Sequence, residues 1–563
     1  MRRLTPRQGG RPFACVAQSP FPSWSRVVTS MVARCRLQKD PIRSMNGVRS
    51  GMNRSRAAFF AVLLGIPWLL QGCSAGQDQP QRLNFLLITA DDLEWTSVGV
   101  YGSAVDGITP NIDKLASEGI RFTNGHVTIA VCQPSRQPLM TGRFPHNNGA
   151  PAFDPIADDV PILQESLREA GYLNGNIGKS RHLQPTSRFG WNLGPRPAAP
   201  DSGVWMHHLG NGRDIELYKN YMTDFLRMAK DADRNFWLML NTHDPHKPFY
   251  GNGGEAYDYP VSRVYAPEEI EVPGFLPDLP EVREELAAYY TSVRRSDDVV
   301  GAILEILEDE GFADNTLVMF LSDNGASFPF AKANAYLNST KTPWIVRWPG
   351  KTTPGTVDTT HFISGIDYMP TILEAAGLMQ VPDMDGASFL PILTGSEQGW
   401  RTSVFTEFNR PFNNLPLHMR ALQNKKFGYI YNPFFGLERV RMESMSGPTW
   451  AAMLEAGKMD PAIQERVDLF SDRVPEELYD YETDPDGLVN LIDDPAYADV
   501  LTELRQALAN EMYVTHDSML QGFEEKVGLR GVAIVIGCMD EADDRHDPEA
   551  NRHDHTMCAL SRR

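Results

Sequence analysis

Cysteine is scarce in this chain, with six in 563 residues. Cys15 and Cys35 lie in a basic leader, Cys73 closes an apolar run, and Cys538 and Cys558 belong to a polar tail. Cys132 therefore stands alone across the whole central region, which excludes a fold built on disulfides. Positive charge is in deficit as well: the formal net charge is -19, which argues against nucleic-acid binding and against attraction to anionic lipid. An acidic chain can still handle an anion if its cations are concentrated in one site. No apolar run after residue 70 is long enough to span a membrane. His and Cys clusters at zinc spacing are missing too, because those of the tail are irregularly placed.

What is present begins at the N-terminus. Residues 1–51 are basic and aperiodic, and read as a misassigned or disordered leader ahead of a start at Met52. Asn53-Arg54-Ser55-Arg56 precedes an apolar stretch of about 14 residues from Ala57 to Leu70, the build of a secretory signal and too short for a spanning helix. The segment 52–73, ending in Leu70-Gln71-Gly72-Cys73, resembles a bacterial lipoprotein signal. That resemblance implies an exported lipoprotein, anchored by lipid at Cys73 in the periplasm or at the outer membrane or cell surface. About 490 residues remain, enough for one large α/β domain and a smaller one.

Strands alternate with helices through residues 82–399, the pattern of a sheet covered on both faces. Leu83 to Ala90, Tyr172 to Ile177, Asn235 to Leu240 and Asn315 to Leu321 read as strands, and Val282 to Glu310 reads as a long helix. From 400 to 522 the pattern changes. Thr402 to Thr406, Met419 to Leu422 and Phe427 to Tyr431, turned at Asn424-Lys425, then Glu477 to Tyr481, predict an antiparallel sheet. A helix from Tyr497 to Met512 follows, and the acidic stretch 523–563 reads as a disordered tail.

Each of the four predicted strands of the first region runs into a polar cluster: Asp91-Asp92, Lys179, His243 and Asp323-Asn324. Singly, Asp-Asp and Ser-Asp-Asn-Gly are ordinary turn sequences, and one His at a strand end is more often structural. Jointly they point to a single rim, since ligands of open α/β sheets bind outside the carboxyl ends of the strands. Three carboxylates and an amide oxygen form an all-oxygen donor set suited to a hard divalent cation, Ca²⁺ for an irregular site and Mg²⁺ for an octahedral one. Lys179, Lys332 and Arg136 would then contact a sulfate or phosphate oxygen. Cys132 lies in Cys132-Gln133-Pro134-Ser135-Arg136, followed by Thr141-Gly142-Arg143. It is either a buried bystander or a reactive group, and Pro134 and Pro138 are expected to break any regular element there.

These residues resemble the type I sulfatases of the alkaline phosphatase superfamily, through Cys-x-Pro-Ser-Arg followed by Thr-Gly-Arg. The resemblance spans roughly residues 84 to 518 and runs furthest toward the branch that cleaves sulfamates. It also rests on Ala90-Asp91-Asp92, His243-Asp244-Pro245-His246, Ser322-Asp323-Asn324-Gly325, Glu477-Leu478-Tyr479-Asp480 and Thr515-His516-Asp517. It implies an alkaline phosphatase-like α/β sandwich with a large, mostly parallel sheet and a smaller C-terminal α+β domain. It also implies conversion of Cys132 to Cα-formylglycine by a separate formylglycine-generating enzyme, and Ca²⁺ held by Asp91, Asp92, Asp323, Asn324 and the modified Cys132. Arg136 would orient the nucleophile, Lys179 and Lys332 would grip the sulfate of a sulfated saccharide, and His243 would protonate the leaving group. His182, Asp244 and His246 would contact substrate.

Two departures bear on specificity. Gly178-Lys179-Ser180-Arg181-His182 is one residue longer than the family's Gly-Lys-x-His spacing, and Lys332 stands where the sulfamate-cleaving branch holds arginine. Lysine is a point charge where arginine is a fork. Other readings stay open at this level: an O-sulfatase of another polysaccharide, a formylglycine-type phosphonate or phosphodiester hydrolase, and an inactive glycan-binding lipoprotein.

Overall fold

Eight consecutive buried residues, Asn84–Asp91 (β1), run through the middle of a seven-stranded sheet. Its other strands are Ile120–His126 (β2), Leu173–Ile177 (β3), Phe236–Pro245 (β4), Thr316–Ser322 (β5), Trp344–Arg347 (β6) and Thr356–Ser364 (β7). They are ordered β3-β4-β1-β5-β6-β2-β7. The first four pair in parallel, β6 is antiparallel to both neighbours, and β2 and β7 are parallel, so the sheet is mixed and mostly parallel. This computed structural model describes residues 83–189, 212–396, 401–411, 415–434 and 442–529, with the paired dipeptides Ile536–Gly537 and Arg552–His553.

The near-continuous apolar sequence of β1 follows from burial on both faces. Leu86 and Ile88 pack on one side with Leu286, Val293 and Ile303 of the helix Pro280–Asp309. Phe85 and Leu87 pack on the other with Leu163 and Leu167 of Leu163–Glu169, and with Met369 and Ile372 of Tyr368–Ala375. At roughly 1.5–3 kcal/mol per buried large apolar side chain, these two layers hold the sheet while its carboxyl rim stays polar.

A second sheet is antiparallel throughout, with Ser403–Phe408 (β8), Met419–Asn424 (β9), Phe427–Tyr431 (β10) and Glu476–Asp480 (β11) in the order β11-β10-β9-β8. The β9–β10 turn is tied by Asn424, whose Oδ1 accepts from the backbone of Lys426 and Phe427. Leu501, Leu504, Leu508 and Met512 of the helix Ala498–Val514 cover this sheet, as their three- and four-residue spacing requires.

Three expectations are corrected or fall outside what is described. The prolines after Cys132 do not break the chain: Cys132–Thr141 is an α-helix. Pro134 lies in its first turn, where a backbone N–H has no partner within the helix, and Pro138 forgoes one internal bond. The chain beyond 522 is not uniformly without structure, because Leu520–Val527 is helical and its Phe523 is fully buried against Tyr431. The leader, the 52–73 signal with Cys73, the junction at 400 and most of the tail after Leu529 lie outside the described residues.

Candidate active site

The four clusters meet because their strands are neighbours. β3, β4, β1 and β5 are consecutive in the sheet, so Lys179, His243, Asp91-Asp92 and Asp323-Asn324 all leave the same carboxyl edge. A register shift follows Thr89, which pairs with Asn241, and it lets β1 turn into the site. Asp92 and Lys179 both take left-handed backbone conformations there, at φ 65° and 49°. Gly178, at φ 76°, has to be glycine: a Cβ would run into the Asn241 carbonyl.

Cys132 is the first residue of its helix, and its sulfur points at the acids, 3.3 Å from Asp91 Oδ1 and 3.9 Å from Asp92 Oδ1. Burial, and then the Asp91 carboxylate, push its thiol well above the usual range, so it is not a ready thiolate. Arg136, one helical turn on, donates Nε and Nη2 to Asp323 Oδ2 at 3.0 and 2.6 Å, and Nη1 to Thr89 Oγ1 at 2.7 Å and to Asn241 Oδ1. Lys179 pairs with Asp91, and Lys332 Nζ lies 2.8 Å from Asp92 Oδ2. Three buried carboxylates thus face three buried cations. Burial opposes the charge on Asp91, yet Lys179 and then His246 hold its carboxyl well below the usual carboxylate range.

The imidazoles divide. His246 Nε2 lies 4.0 Å from Asp92 Oδ2, and its ring stays partly exposed. His243 is 5.2 Å from it between ring centroids, with Nδ1 buried and unpartnered. His182 follows Lys179 in a short 3-10 turn, and its Nδ1 is likewise buried without a partner. Burial, then the Lys179 charge, hold His182 and His243 below the ordinary imidazole range. Asp244 departs from the expected substrate contact. Its oxygens are held by Arg213 Nε at 3.0 Å and by Arg295 at 2.6 and 3.1 Å, beneath the surface, so it braces the His243–His246 turn.

Sequence reasoning missed Arg213, Arg295, Thr89 and Asn241. Thr89 and Asn241 did carry a signal, as polar residues inside strands that are otherwise apolar. Arg213 and Arg295 carried none, since each lies at least 31 residues from Asp244.

An oxygen-rich rim on a mostly parallel sheet, with cations matched to carboxylates around one cysteine, defines an α/β protein with a site suited to an anionic ester. The chain belongs to the sulfatase family: residues 83–378 match the Sulfatase model, and residues 326–432 match that of the N-sulphoglucosamine sulphohydrolase C-terminal region. It is a sulfuric ester hydrolase. N-sulphoglucosamine sulphohydrolase of Homo sapiens is 30% identical over 475 residues, covering 77% of this chain and 90% of that protein. Among solved structures, a protein in complex with its substrate D-glucosamine-2-N,6-O-disulfate superposes with a TM-score of 0.55 at 19% identity, covering 78% of this chain and 99% of that one. The phosphonate monoester hydrolase of Agrobacterium radiobacter has the same fold, with a TM-score of 0.57, 20% identity and coverage of 77% and 96%.

The family implies a metal here, and the residues fit one. One donor atom each from Asp91, Asp92, Cys132 and His246 lie within 4.8 Å of one another. Asn324 supplies a second sign: its nitrogen donates to Asp92 and Gly325, while its Oδ1 is buried with no hydrogen-bond partner. An orphaned buried acceptor beside carboxylates is the setting a cation relieves.

Proposed function

We propose that the mature protein releases sulfate from a sulfated saccharide, sulfamate or sulfate ester, using Cys132 after its conversion to Cα-formylglycine. The observation that carries this reading is the placement of Cys132, buried against Asp91 and Asp92 with its thiol held protonated. Such a residue is a poor thiolate and a well-placed precursor. As the hydrated aldehyde it supplies two hydroxyls, one to attack sulfur and one whose deprotonation expels the sulfate. Ca²⁺, in preference to Mg²⁺, would be held by Asp91, Asp92, Asp323, Asn324 and the modified residue 132, and would polarise a sulfate oxygen.

The chain's own groups do the rest. Arg136, fixed by Asp323, Thr89 and Asn241, orients residue 132. Lys179, anchored to Asp91, and Lys332, anchored to Asp92 and Glu443, would hold the sulfate oxygens. His246 and His243 are the imidazoles that would meet the leaving oxygen or nitrogen. His246 is the nearer to Asp92 and the more open to solvent, so it is the better placed of the two to deliver a proton. Segment 52–73 supports export with a lipid anchor at Cys73.

The reading is tested by mapping the residue-132 peptide by mass in protein from its native host, together with sulfate release from N- and O-sulfated saccharides. Formylglycine at 132 and sulfate release are expected. An intact thiol throughout would sink the enzymatic mechanism. Faster cleavage of an aryl phosphonate than of any sulfate would favour the phosphonate hydrolase reading.

A further inference from the structure

One charged group at the mouth of the site takes no part in the chemistry above. Glu443 opens a short 3-10 turn, Glu443–Ser446, and its Oε2 lies 3.3 Å from Lys332 Nζ. Lys332 is thus shared between two acids. Asp92 is wholly buried, whereas the Glu443 side chain is 31% exposed, which puts Glu443 on the solvent side of the cation that grips sulfate. Its neighbours Met442 and Ser444 are buried, so the turn is anchored and Glu443 is the residue presented. Further along the wall, the Thr449 backbone donates to Glu285 Oε2 at 2.9 Å, and Trp450 and Met453 are buried.

Asp91, Asp92 and Asp323 already match Arg136, Lys179 and Lys332 one for one. Lys247, which lies beside Gly447 at the end of the same turn, is paired with Glu285 at 2.9 Å. Glu443 adds a solvent-facing carboxylate on the far side of Lys332, where a substrate that is itself an anion would arrive. A carboxylate there accepts hydrogen bonds and carries a like-charge penalty against a second anion.

We propose that Glu443 is a specificity-determining residue: it accepts from a hydroxyl or ammonium group of the sugar beside the scissile sulfate, and it disfavours saccharides with a second sulfate or carboxylate there. This rests on the proposed sulfatase activity. The test uses the mature protein and compares glucosamine N-sulfate with glucosamine N,6-disulfate. If another monosulfated saccharide is the better substrate, that sugar is compared with its derivative bearing one further sulfate on the same ring. In Glu443→Gln the ratio of kcat/KM for the disulfated over the monosulfated sugar should rise about tenfold, as expected for unit charges ~10 Å apart at an effective dielectric of ~20. Glu443→Asp should keep the wild-type ratio. A ratio within twofold of wild type in Glu443→Gln, or an equal loss on both sugars, overturns the proposal and leaves Glu443 as a counter-charge for Lys332. Release of sulfate from no saccharide by the wild type overturns the parent reading and this one with it.

Discussion

Thr89 and Asn241 face each other across the parallel β1–β4 pair, and the Thr89 hydroxyl donates to Asn241 Oδ1 at 2.7 Å. Both accept from the same Arg136 nitrogen. Two polar side chains on otherwise apolar strands thereby fix the buried guanidinium that the Cys132–Thr141 helix sends to the rim. Asn241 also donates to Asn176 Oδ1 at 2.8 Å and to the Ile177 and Gly178 carbonyls, which tie down the turn that carries Lys179.

Asn241→Ala should therefore disturb Arg136 and Lys179 together. The expected loss is about 1–3 kcal/mol of stability, from buried groups left unpaired. kcat should fall ten- to a hundredfold while KM moves little. A thermal melt and steady-state kinetics on one preparation check this.

Asp244→Ala should cost more in stability, because it takes the carboxylate away from two buried guanidinium groups, Arg213 and Arg295. Breaking such a pair costs roughly 3–5 kcal/mol. Asp244→Asn should cost part of that. Denaturant titration reads the difference, and a near-native midpoint for Asp244→Ala would contradict the bracing role.

Chelation addresses the oxygen donors. Dialysis against a chelator should abolish sulfate release and lower the melting temperature, and Ca²⁺ should restore both more effectively than Mg²⁺. Asn324→Ala should raise the Ca²⁺ needed for half-recovery about tenfold, taking one lost ligand as roughly 1.4 kcal/mol.

His146 and Glu407 make stability depend on pH. His146 Nδ1 lies 3.1 Å from Glu407 Oε1, and Nε2 lies 3.2 Å from the Thr515 carbonyl, an arrangement that suits the doubly protonated ring. Burial opposes both charges. Glu407 raises His146, while His146 and then Arg420 pull Glu407 down to about 2. The stabilisation from Glu407 is complete above its unfolded value of about 4.5 and is lost as pH falls through about 2. That from His146 is complete below about 6.5 and is lost as pH rises through its raised value. The two overlap between about 4.5 and 6.5. His146→Gln should thus lower the melting temperature most near pH 5.5 and least above pH 8, by a difference worth ~1–3 kcal/mol.

Much of the fold was legible in the chain. The apolar runs of β1, β4 and β5 needed no context, because a strand covered on both faces has to be apolar throughout. The helix through Pro134 and Pro138 was misread because proline's cost depends on its position in the helix, and Cys132 as the starting residue became visible only with the turn in place. Asp244 was misread because its partners come from a helix and a loop distant in sequence. His246 and His243 are three residues apart and alike in composition, and only their placement ranks them against Asp92.

Chemical identity at the rim is a local property and so was readable from the chain: which residues carry oxygen, nitrogen or sulfur, and that each follows an apolar strand. The family follows from that, whereas the candidate metal cluster also draws in His246, which only the folded chain brings beside Asp92. Adjacency is not local. The order β3-β4-β1-β5 brings residues 91, 179, 243 and 323 to one edge, and long-range packing sets that order. The same packing pairs each buried charge with its partner, turns Asp244 inward, and leaves Glu443 facing solvent beside Lys332. Burial and distance determine what a charged group can do, and both exist only once the chain has folded.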